Sequence, residues 1–396
     1  NSRKSHSAMF VRSLGLLAVG SAGLDLKARF EQTYAAVVAS LSGNFAAFPA
    51  KTVQQGAHFE WESSDDTKWT AGFFPGLLWQ LASSTGDSTF EQAAANWTAH
   101  LEQAKTRTTT HDVGFVIFGS FGNGWQLVGN NQTYKSVIVE AAHSLALRYS
   151  PKVGMTRSWG DINDNQHFKV IIDNMLNLEL LLWAAQETGN STLRDISLSH
   201  ARKTAKYWTR PDGSTPHLCV FDPTTGELQT PCTGTPQGLA ANSTWARGQA
   251  WAIYGFTMMY RYTGESEFLA NAEKFAEYYV KASGKDQVPL WDYDAKAPQA
   301  FKDTSAAAIT ASGLLELAVH TNKPQYKDEA TKIITAIESD PTMLAKDGDQ
   351  AVLAANRHDC DADGCTIIET DYYMYEALRR LEGQFPPGVG SGIQVV

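Results

Sequence analysis

Two kinds of helical pattern alternate along the chain. In one kind, such as residues 194–208 and 268–280, apolar residues form a single stripe and charged residues occupy the opposite face. In the other kind, apolar or small residues occur on nearly every side, at 72–82, 114–121, 175–185, 250–260 and 305–318. A helix that is apolar all round is buried all round. The alternation therefore predicts an inner set of helices surrounded by an outer, amphipathic set.

A short turn motif recurs where the apolar helices end. Gly or Asn supplies a left-handed C-cap, and Ser, Thr or Gln soon afterwards opens the next helix. The five copies occupy 85–90, 128–134, 188–193, 263–268 and 321–326. They join ten helices, and amphipathic segments at about 24–42 and 371–382 bring the number to twelve. Six hairpins predict an all-α fold, an (α/α)6 barrel; an irregular α-solenoid is the alternative, although longer connections on one side favour a closed ring.

Composition fits one large domain. The 396 residues include 43% hydrophobic ones, enough for a sizeable core, and eleven Trp, more than packing usually requires. We expect a single (α/α)6 domain over residues 24–384. The net charge of −9, with no basic block, argues against a nucleic-acid partner. No apolar run reaches the roughly 20 residues of a membrane span, so no membrane partner is expected.

The two ends of the chain are predicted to lie outside this domain. Residues 9–23 combine an early Arg, a short apolar core and small residues, as a secretory signal does. The segment 1–23 is therefore interpreted as signal-like or flexible, with an ordinary N-terminal helix as the alternative. The segment 385–396 is predicted to be a flexible tail.

Cysteines and glycosylation sequons also favour secretion. The cysteines form two locally spaced pairs, Cys219 with Cys232 and Cys360 with Cys365, which suit two disulfides in an exported protein. Reduced thiols in a cytoplasmic protein are the alternative. The sequons of a glycoprotein begin at Asn96, Asn131, Asn190 and Asn242.

The N-terminal ends of the inner helices carry the unusual residues. Inner helices of such a ring run in the same direction, so these ends share one mouth. Their dipoles and unpaired N–H groups favour an anionic ligand. The side chains predicted to gather there are Trp69, His111, Asp112, Asp173, Trp245, Arg247, Gln249, Trp251, Asp303, Asp371 and Tyr372.

Four aspartates stand at predicted helix starts, where Asp is among the best N-cap residues. Capping is the alternative to catalysis for Asp112, Asp173, Asp303 and Asp371, and Asp303 resembles a plain cap most. Asp173 is preceded by two Ile in the largely apolar segment 171–178. An apolar setting with a second carboxylate nearby favours the protonated form of a carboxyl group, as a general acid requires. Asp173 is therefore the candidate acid.

The segment 245–251, WARGQAW, predicts recognition of a sugar acid. Trp faces stack on pyranose rings, and Arg grips a carboxylate with two parallel hydrogen bonds. Core packing is the alternative for Trp245 and Trp251, but it explains Arg247 poorly.

No motif predicts a metal or an organic cofactor. Residues 359–364 match the opening of a Ca²⁺ loop, but Thr370 stands where the final Glu ligand is needed. There is no close-spaced His/Cys cluster for zinc, no phosphate-binding Lys motif and no dinucleotide fingerprint. We therefore expect acid–base chemistry without a metal or cofactor.

Five motifs resemble those of the unsaturated glucuronyl hydrolases, glycoside hydrolase family 88. They are THDVGF, IIDNMLNL, WARGQAWAIYGF, DTSAAAITASGLLELA and DYYMYEALRRLE, in this order. The resemblance spans about residues 69–382. It implies an (α/α)6 barrel and an enzyme that removes a terminal Δ4,5-unsaturated glucuronic acid from lyase-generated oligosaccharides, by hydration of the enol ether. The expected partner is such an unsaturated oligosaccharide, and the expected state is a monomer or weak homodimer.

The resemblance also implies roles for individual residues. Asp173 donates a proton to C4 and then, as a carboxylate, activates the water that adds at C5. Asp112 matches the second family aspartate, which holds ring hydroxyls. Ala71 and Pro236 depart from the bacterial pattern, so the resemblance does not carry over the substrate preference of the bacterial members. The matching pocket positions are Trp69, His111, Trp159, His217, Gln237, Trp245, Arg247 and Trp251.

Three alternative functions stay open at this point. An unsaturated rhamnogalacturonyl hydrolase would share the fold and chemistry, although WARGQAW and the His111–Asp112 pair lean against it. An inverting endo-glycosidase would need a long open groove, whereas an enzyme that acts on chain ends needs a closed pocket. A non-catalytic sugar-binding protein would not need the intact aspartate pair.

Overall fold

A computed structural model describes residues 21–129, 131–234, 237–354 and 364–389. Within these ranges the chain is mainly helical. In chain order the helices are α1 (Ser21–Leu41), α2 (Phe73–Thr85), α3 (Ser88–Ala99), α4 (Val113–Ile117), α5 (Asn123–Leu127), α6 (Gln132–Ala146), α7 (Asn174–Thr188), α8 (Ser191–Trp208), α9 (Ala246–Thr263), α10 (Ser266–Ser283), α11 (Thr304–Thr321), α12 (Pro324–Ser339) and α13 (Ile368–Leu381).

The helices form two concentric rings. The inner ring is α2, the α4–α5 pair, α7, α9, α11 and α13; each contacts the next, and α13 returns to α2. The outer helices α3, α6, α8, α10 and α12 each pack on the inner helix that precedes them, and α1 covers α12, α13 and α3. The (α/α)6 barrel predicted from the hairpin count is therefore confirmed, and the solenoid alternative is wrong because the ring closes.

The predicted turns have the expected backbone geometry. Gly86, Gly189 and Gly264 follow α2, α7 and α9 with φ of 71°, 69° and 67°, and Asn322 follows α11 with φ of 55°. Only glycine adopts this left-handed conformation freely, with Asn the usual substitute. These residues end the inner helices and turn the chain back into the outer ring.

The second inner helix is interrupted. A π-helical turn, Phe118–Gly122, separates α4 from α5. Close packing with α2 surrounds this region, since a Cβ on Gly72 would meet the Phe115 carbonyl oxygen at 2.4 Å. The sequence pattern predicted one continuous helix here, and the interruption was not foreseen.

Three pairs of short antiparallel strands accompany the helices in the part of the chain that the structure describes. Two are hairpins, β1 (Phe48–Gln55) with β2 (His58–Ser64) and β3 (Tyr149–Ser150) with β4 (Met155–Thr156). In the third pair, β5 (Phe168–Ile171) and β6 (Leu218–Phe221) are separated in the chain by α7 and α8. The prediction of an all-α fold omitted these strands. The third pair bears on function because it joins Ile171, close to Asp173, to Leu218, next to His217.

The last inner helix begins earlier than predicted. It starts at Ile368, so Asp371 lies within the first turn rather than before it. The Asp371 carboxylate is fully buried and accepts hydrogen bonds from the Tyr34 hydroxyl (2.8 Å), Val352 N (2.8 Å) and Leu353 N (2.9 Å). Asp371 therefore joins α13 to α1, and its predicted place at the mouth is wrong.

The structure also bears on the cysteine pairs. Cys219 and Cys232 form a disulfide, as predicted. The second predicted pair involves Cys360, which lies outside the described residues, as do Pro236, segment 1–20 and nearly all of the calcium-like loop. Phe385, in the predicted C-terminal tail, packs against the core.

Two further properties concern the part of the chain that the structure describes. None of its helices combines the length and the apolar character needed to cross a membrane. Its His, Cys, Asp and Glu side chains form no cluster of three or more that could hold a metal ion.

Candidate active site

Asp112 and Asp173 stand directly before α4 and α7, in the N-cap position of each helix, yet neither side chain accepts a capping hydrogen bond. Asp303 before α11 behaves differently, because its carboxylate accepts from Ala306 N at 2.9 Å and from the Ser305 hydroxyl at 2.5 Å. The prediction that Asp303 is a plain cap is confirmed. Capping does not explain Asp112 or Asp173, whose carboxylates remain available for other contacts.

Asp173 lies at the edge of an apolar layer. Its side chain is 13% exposed, and Ile171 and Ile172 before it are buried. Its Oδ1 lies 3.5 Å from Nε2 of His217 without a formed hydrogen bond. The His217 side chain is completely buried, and neither ring nitrogen has a hydrogen-bond partner among the described residues. A buried polar ring without a partner is costly, which makes His217 and Asp173 candidates for contact with a bound molecule.

Backbone contacts hold His217 beside Asp173. Ile172 N donates to the His217 carbonyl oxygen at 3.0 Å, and the Trp208 indole N–H donates to the same oxygen at 3.1 Å. His217 N in turn donates to the carbonyl of Thr233 at 2.9 Å. The position of the ring is therefore set by β5, β6 and the loop that the Cys219–Cys232 disulfide closes.

Asp112 has a polar environment. Its carboxylate accepts from the Thr110 hydroxyl at 2.6 Å and lies 3.1 Å from Nε2 of His111. Burial alone would raise the pKa of Asp112, but His111, Thr110 and the charge of Arg148 together outweigh it and hold this pKa below the ordinary value. Asp112 is therefore ionised at neutral pH.

Arg148 fixes the loops on either side of Asp112, a role that the sequence did not reveal. Its guanidinium donates to the carbonyl oxygens of Thr108, of Arg157 (2.8 Å) and of Gly160 (3.2 Å). Burial lowers the pKa of Arg148 to about 10, so it keeps its charge at neutral pH. These bonds connect the approach to Asp112 with the loop that carries Trp159. No local pattern marks this residue, because its partners are backbone atoms from two other loops.

The aromatic rings of the predicted site residues form two groups. Around His217, the ring of Trp245 packs at 4.8 Å and that of Trp159 at 6.2 Å between centroids. A second group links Trp69 to Phe115 at 5.6 Å and Phe115 to Trp251 at 5.4 Å. Trp69 and Trp159 are partly exposed, whereas Trp245 and Trp251 are buried.

Arg247 is held between acidic side chains. Its guanidinium lies 4.7 Å above the Trp245 ring, donates to the Ser305 hydroxyl at 3.0 Å, and approaches Asp303 and Glu369 to 4.0 Å each. These contacts fix the direction of a buried cation directly beside Trp245. Glu369 was not among the predicted site residues.

The structure also places three further predicted residues: Gln237, Gln249 and Tyr372. Gln237 is partly exposed, and its amide oxygen has no hydrogen-bond partner among the described residues. Gln249 is buried and joins three backbone groups: Thr215 N, Gly213 O and Phe275 O. Tyr372 accepts from Asn123 at 2.9 Å inside the ring. The prediction that Gln249 and Tyr372 gather at the mouth is therefore wrong; both act within the scaffold.

Comparison with known proteins identifies the family. The model of Glycosyl Hydrolase Family 88 matches residues 44–386. The chain belongs to this family. An unsaturated glucuronyl hydrolase from Formosa agariphila is 42% identical over 320 residues, which cover 79% of each chain. These findings confirm the resemblance drawn from the motifs, and with it the prediction of an enzyme that removes a terminal unsaturated glucuronic acid.

Solved structures of family 88 enzymes share the architecture. An unsaturated glucuronyl hydrolase specific for heparin is 32% identical and superposes with a TM-score of 0.82, covering 91% of this chain and 97% of that one. The glycosaminoglycan-degrading unsaturated glucuronyl hydrolase from Bacillus sp. GL1 is 29% identical, with a TM-score of 0.84 and coverage of 94% and 100%. These two enzymes and the Formosa relative are all glucuronyl hydrolases, which favours that activity over the rhamnogalacturonyl alternative.

Proposed function

We propose that this family 88 enzyme hydrates the enol ether of the terminal unsaturated glucuronic acid with Asp173 as both acid and base. The observation that carries the proposal is the state of the Asp173 carboxyl group: it stands at a helix N-terminus, does not cap it, and lies 3.5 Å from a buried histidine without a partner. A group that transfers a proton must be held in place, while its carboxylate stays free of hydrogen bonds that serve only the fold.

The proposed reaction begins with protonation of the double bond. The Asp173 carboxyl proton moves to C4, and the electron pair of the C4–C5 double bond forms the new C4–H bond. The positive charge is then shared by C5 and the ring oxygen. A water molecule adds its oxygen to C5 and gives its proton to the Asp173 carboxylate, which restores the acid. The hemiketal then opens: the bond between C5 and the ring oxygen breaks, C5 becomes a ketone, and the proton of the C5 hydroxyl passes to the former ring oxygen. The hemiacetal left at C1 collapses to an aldehyde as the bond between C1 and the glycosidic oxygen breaks, and that oxygen takes the hydroxyl proton as the next sugar leaves.

The other residues are proposed to position the substrate. Ionised Asp112 accepts hydrogen bonds from ring hydroxyls, with His111 beside it. Arg247, which Trp245 and two carboxylates hold in place, attracts the substrate carboxylate together with the N-terminal ends of the inner helices. Trp69 and Trp159, the partly exposed rings, stack on sugar faces, while the remaining predicted contacts come from His217, Gln237 and Trp251.

The test uses a panel of unsaturated disaccharides from chondroitin, hyaluronan and heparin, with a saturated counterpart as control. The enzyme should abolish the ultraviolet absorbance of at least one unsaturated substrate and leave the saturated disaccharide intact. In D2O the product should carry one new deuterium at C4. Cleavage of the saturated disaccharide at a rate similar to that of the unsaturated one would contradict hydration. It would indicate a conventional glycosidase mechanism, in which the acid protonates the glycosidic oxygen.

We further propose that the protein is secreted and glycosylated. The Cys219–Cys232 disulfide supports an oxidising compartment. Of the four sequon residues, Asn96, Asn131 and Asn242 are exposed and Asn190 is partly exposed. Protein isolated from its natural source should lose mass on treatment with an N-glycosidase; an unchanged mass would contradict glycosylation.

A further inference from the structure

We propose that Asn177 is a positioning residue that caps α4 in place of Asp112 and thereby leaves the Asp112 carboxylate free for the substrate. The inference rests on the proposed function, since it assumes that Asp112 contacts the sugar. Asn177 lies on the neighbouring inner helix, one turn after Asp173, and its side chain is completely buried.

The hydrogen bonds of Asn177 show that its side chain caps α4, whereas Asp112 at the N-cap position does not. An N-cap side chain normally accepts from the second or third N–H of its own helix. In α4 these are the N–H groups of Gly114 and Phe115. Gly114 N donates to the carbonyl of His111 at 3.2 Å, and Phe115 N donates to Oδ1 of Asn177 at 2.7 Å. Both groups that Asp112 would cap are thus already satisfied.

The carboxylate of Asp112 is correspondingly turned elsewhere. It contacts Thr110 and His111 rather than the helix that it precedes. The amide nitrogen of Asn177 also donates to the Asp173 carbonyl oxygen at 3.3 Å. One buried amide therefore connects the start of α4 with the start of α7, the two helices that present the proposed catalytic pair.

Gly114 makes this arrangement possible. A Cβ at position 114 would lie 2.5 Å from Oδ1, 2.7 Å from Cα and 2.8 Å from Cβ of Asn177. Real Cβ atoms do not approach other atoms so closely, so any larger residue would separate the two helices. The glycine in THDVGF and the second Asn in IIDNMLNL therefore form one unit, although 63 residues separate them in the chain.

The inference is tested by a double-mutant cycle with Asn177→Ala and Asp112→Asn. We expect Asn177→Ala to lower kcat/KM on an unsaturated disaccharide by about 10- to 100-fold, because Asp112 turns to cap Phe115 N. In the Asp112→Asn background the same substitution should cost less than about threefold, since residues that act through one another are not additive. A crystal structure of Asn177→Ala should show the Asp112 carboxylate bonded to Phe115 N.

Asn123→Ala is the matched control. Asn123 is another inter-helical amide, donating to Gly119 O at 2.7 Å and to Tyr372 at 2.9 Å, but it contacts neither aspartate. Its removal should lower stability while kcat/KM stays within about twofold, and its effect should multiply with that of Asp112→Asn. Gly114→Ala, whose Cβ would displace Asn177, should lower kcat/KM as Asn177→Ala does. It is measured in place of Asn177→Ala if that variant does not fold.

Two results would overturn the inference. The first is an active wild type whose Asn177→Ala and Gly114→Ala variants keep full activity. The second is a cycle in which Asn177→Ala costs as much without Asp112 as with it. A wild type that turns over no unsaturated disaccharide would instead contradict the proposed function.

Discussion

At the scale of single residues, the two helix-start aspartates differ in what surrounds them. Asp112 is embedded among Thr110, His111 and Arg148, which lower its pKa despite burial. Asp173 faces a buried imidazole and an apolar layer. This contrast is suited to a site in which one carboxylate stays ionised to hold the sugar while the other exchanges a proton with it.

The lowered pKa of Asp112 predicts how its removal affects stability at different pH. Because the folded state binds this proton less readily than the unfolded chain, Asp112 stabilises the fold above the unfolded value of about 3.9 and loses this effect as pH falls through and below it. Asp112→Asn should therefore destabilise the protein at pH 7 by about 1 to 3 kcal/mol. Urea unfolding of both proteins from pH 7 to 3 should show this difference shrinking below about pH 4; a constant difference would contradict it.

The sequence could indicate some of these residues but not others. Asp303 could be recognised as a cap because Thr and Ser followed by three Ala signal an ordinary helix start. Asp173 stood out because it is charged in an apolar segment. Asn177 and Arg148 could not be found in this way, because their partners come from elements distant in the chain. A residue whose role depends on tertiary contacts leaves no local signal.

At the scale of elements, the inner and outer helices were predictable because burial and turn chemistry act locally. All-round apolar segments became the inner ring, and Gly86 and Gly189 ended two of its helices as expected. The π-helical turn at Phe118–Gly122 and the early start of α13 were not predictable. Both depend on how a helix meets its neighbours, which periodicity does not describe.

The pairing of β5 with β6 predicts a functional consequence of losing the disulfide. Cys219 lies in β6 just after His217, and Cys232 precedes Thr233, which bonds to His217. Replacing Cys219 and Cys232 by Ser should lower the free energy of unfolding by about 3 kcal/mol through the loop that is no longer closed. Turnover by the folded protein should also fall, because His217 loses part of its support.

Urea unfolding and initial rates measured on the same preparation check this expectation. The matched control is Ser40→Ala, which changes an α1 hydroxyl bonded within its own helix, far from β5 and β6 in the chain. Unchanged rates in the cysteine variant would show that the β5–β6 pair holds His217 without the disulfide.

At the scale of the whole molecule, contacts between the ends of the described chain help to close the ring. Tyr34 on α1 donates to Asp371 on α13. The ring interior also contains an ionic network in which Arg261 contacts Glu179 (2.9 Å) and Arg380 contacts Glu316 (3.1 Å). Because Arg261 also lies 3.3 Å from Glu316, the network joins α7, α9, α11 and α13. The expected monomer or weak homodimer stays a prediction.

Loss of the Tyr34–Asp371 hydrogen bond is predicted to change how the stability of the protein depends on pH. Burial raises the pKa of Asp371 to about 6, although Val352 N, the Tyr34 hydroxyl and Leu353 N oppose the shift. The folded protein therefore keeps a proton that the unfolded chain loses above about 3.9, and stability falls as pH rises from about 4 to 6. Tyr34→Phe removes one of the hydrogen bonds that lower the pKa of Asp371. This pKa should therefore rise further, and the free energy of unfolding should continue to fall above pH 6.

Urea unfolding of Tyr34→Phe between pH 5 and 8 measures this effect. We expect a loss of about 1 to 2 kcal/mol at pH 7 that diminishes toward pH 5. Tyr279→Phe is the control, because the Tyr279 hydroxyl donates to the Gln287 carbonyl at 3.1 Å rather than to a carboxylate. A loss of stability in Tyr34→Phe that is the same at pH 5 and pH 8 would contradict the raised pKa of Asp371.

Turnover by Asp173→Asn shows whether Asp173 transfers the proton. Asparagine keeps the shape of the side chain but cannot deliver and recover the proton, so the rate at which an unsaturated disaccharide loses its absorbance should fall by about 1,000-fold or more, with substrate binding retained. Asp87→Asn, at the N-cap of outer helix α3, is the matched control and should keep wild-type turnover. Turnover by Asp173→Asn within a few-fold of wild type would show that Asp173 is not the proton donor.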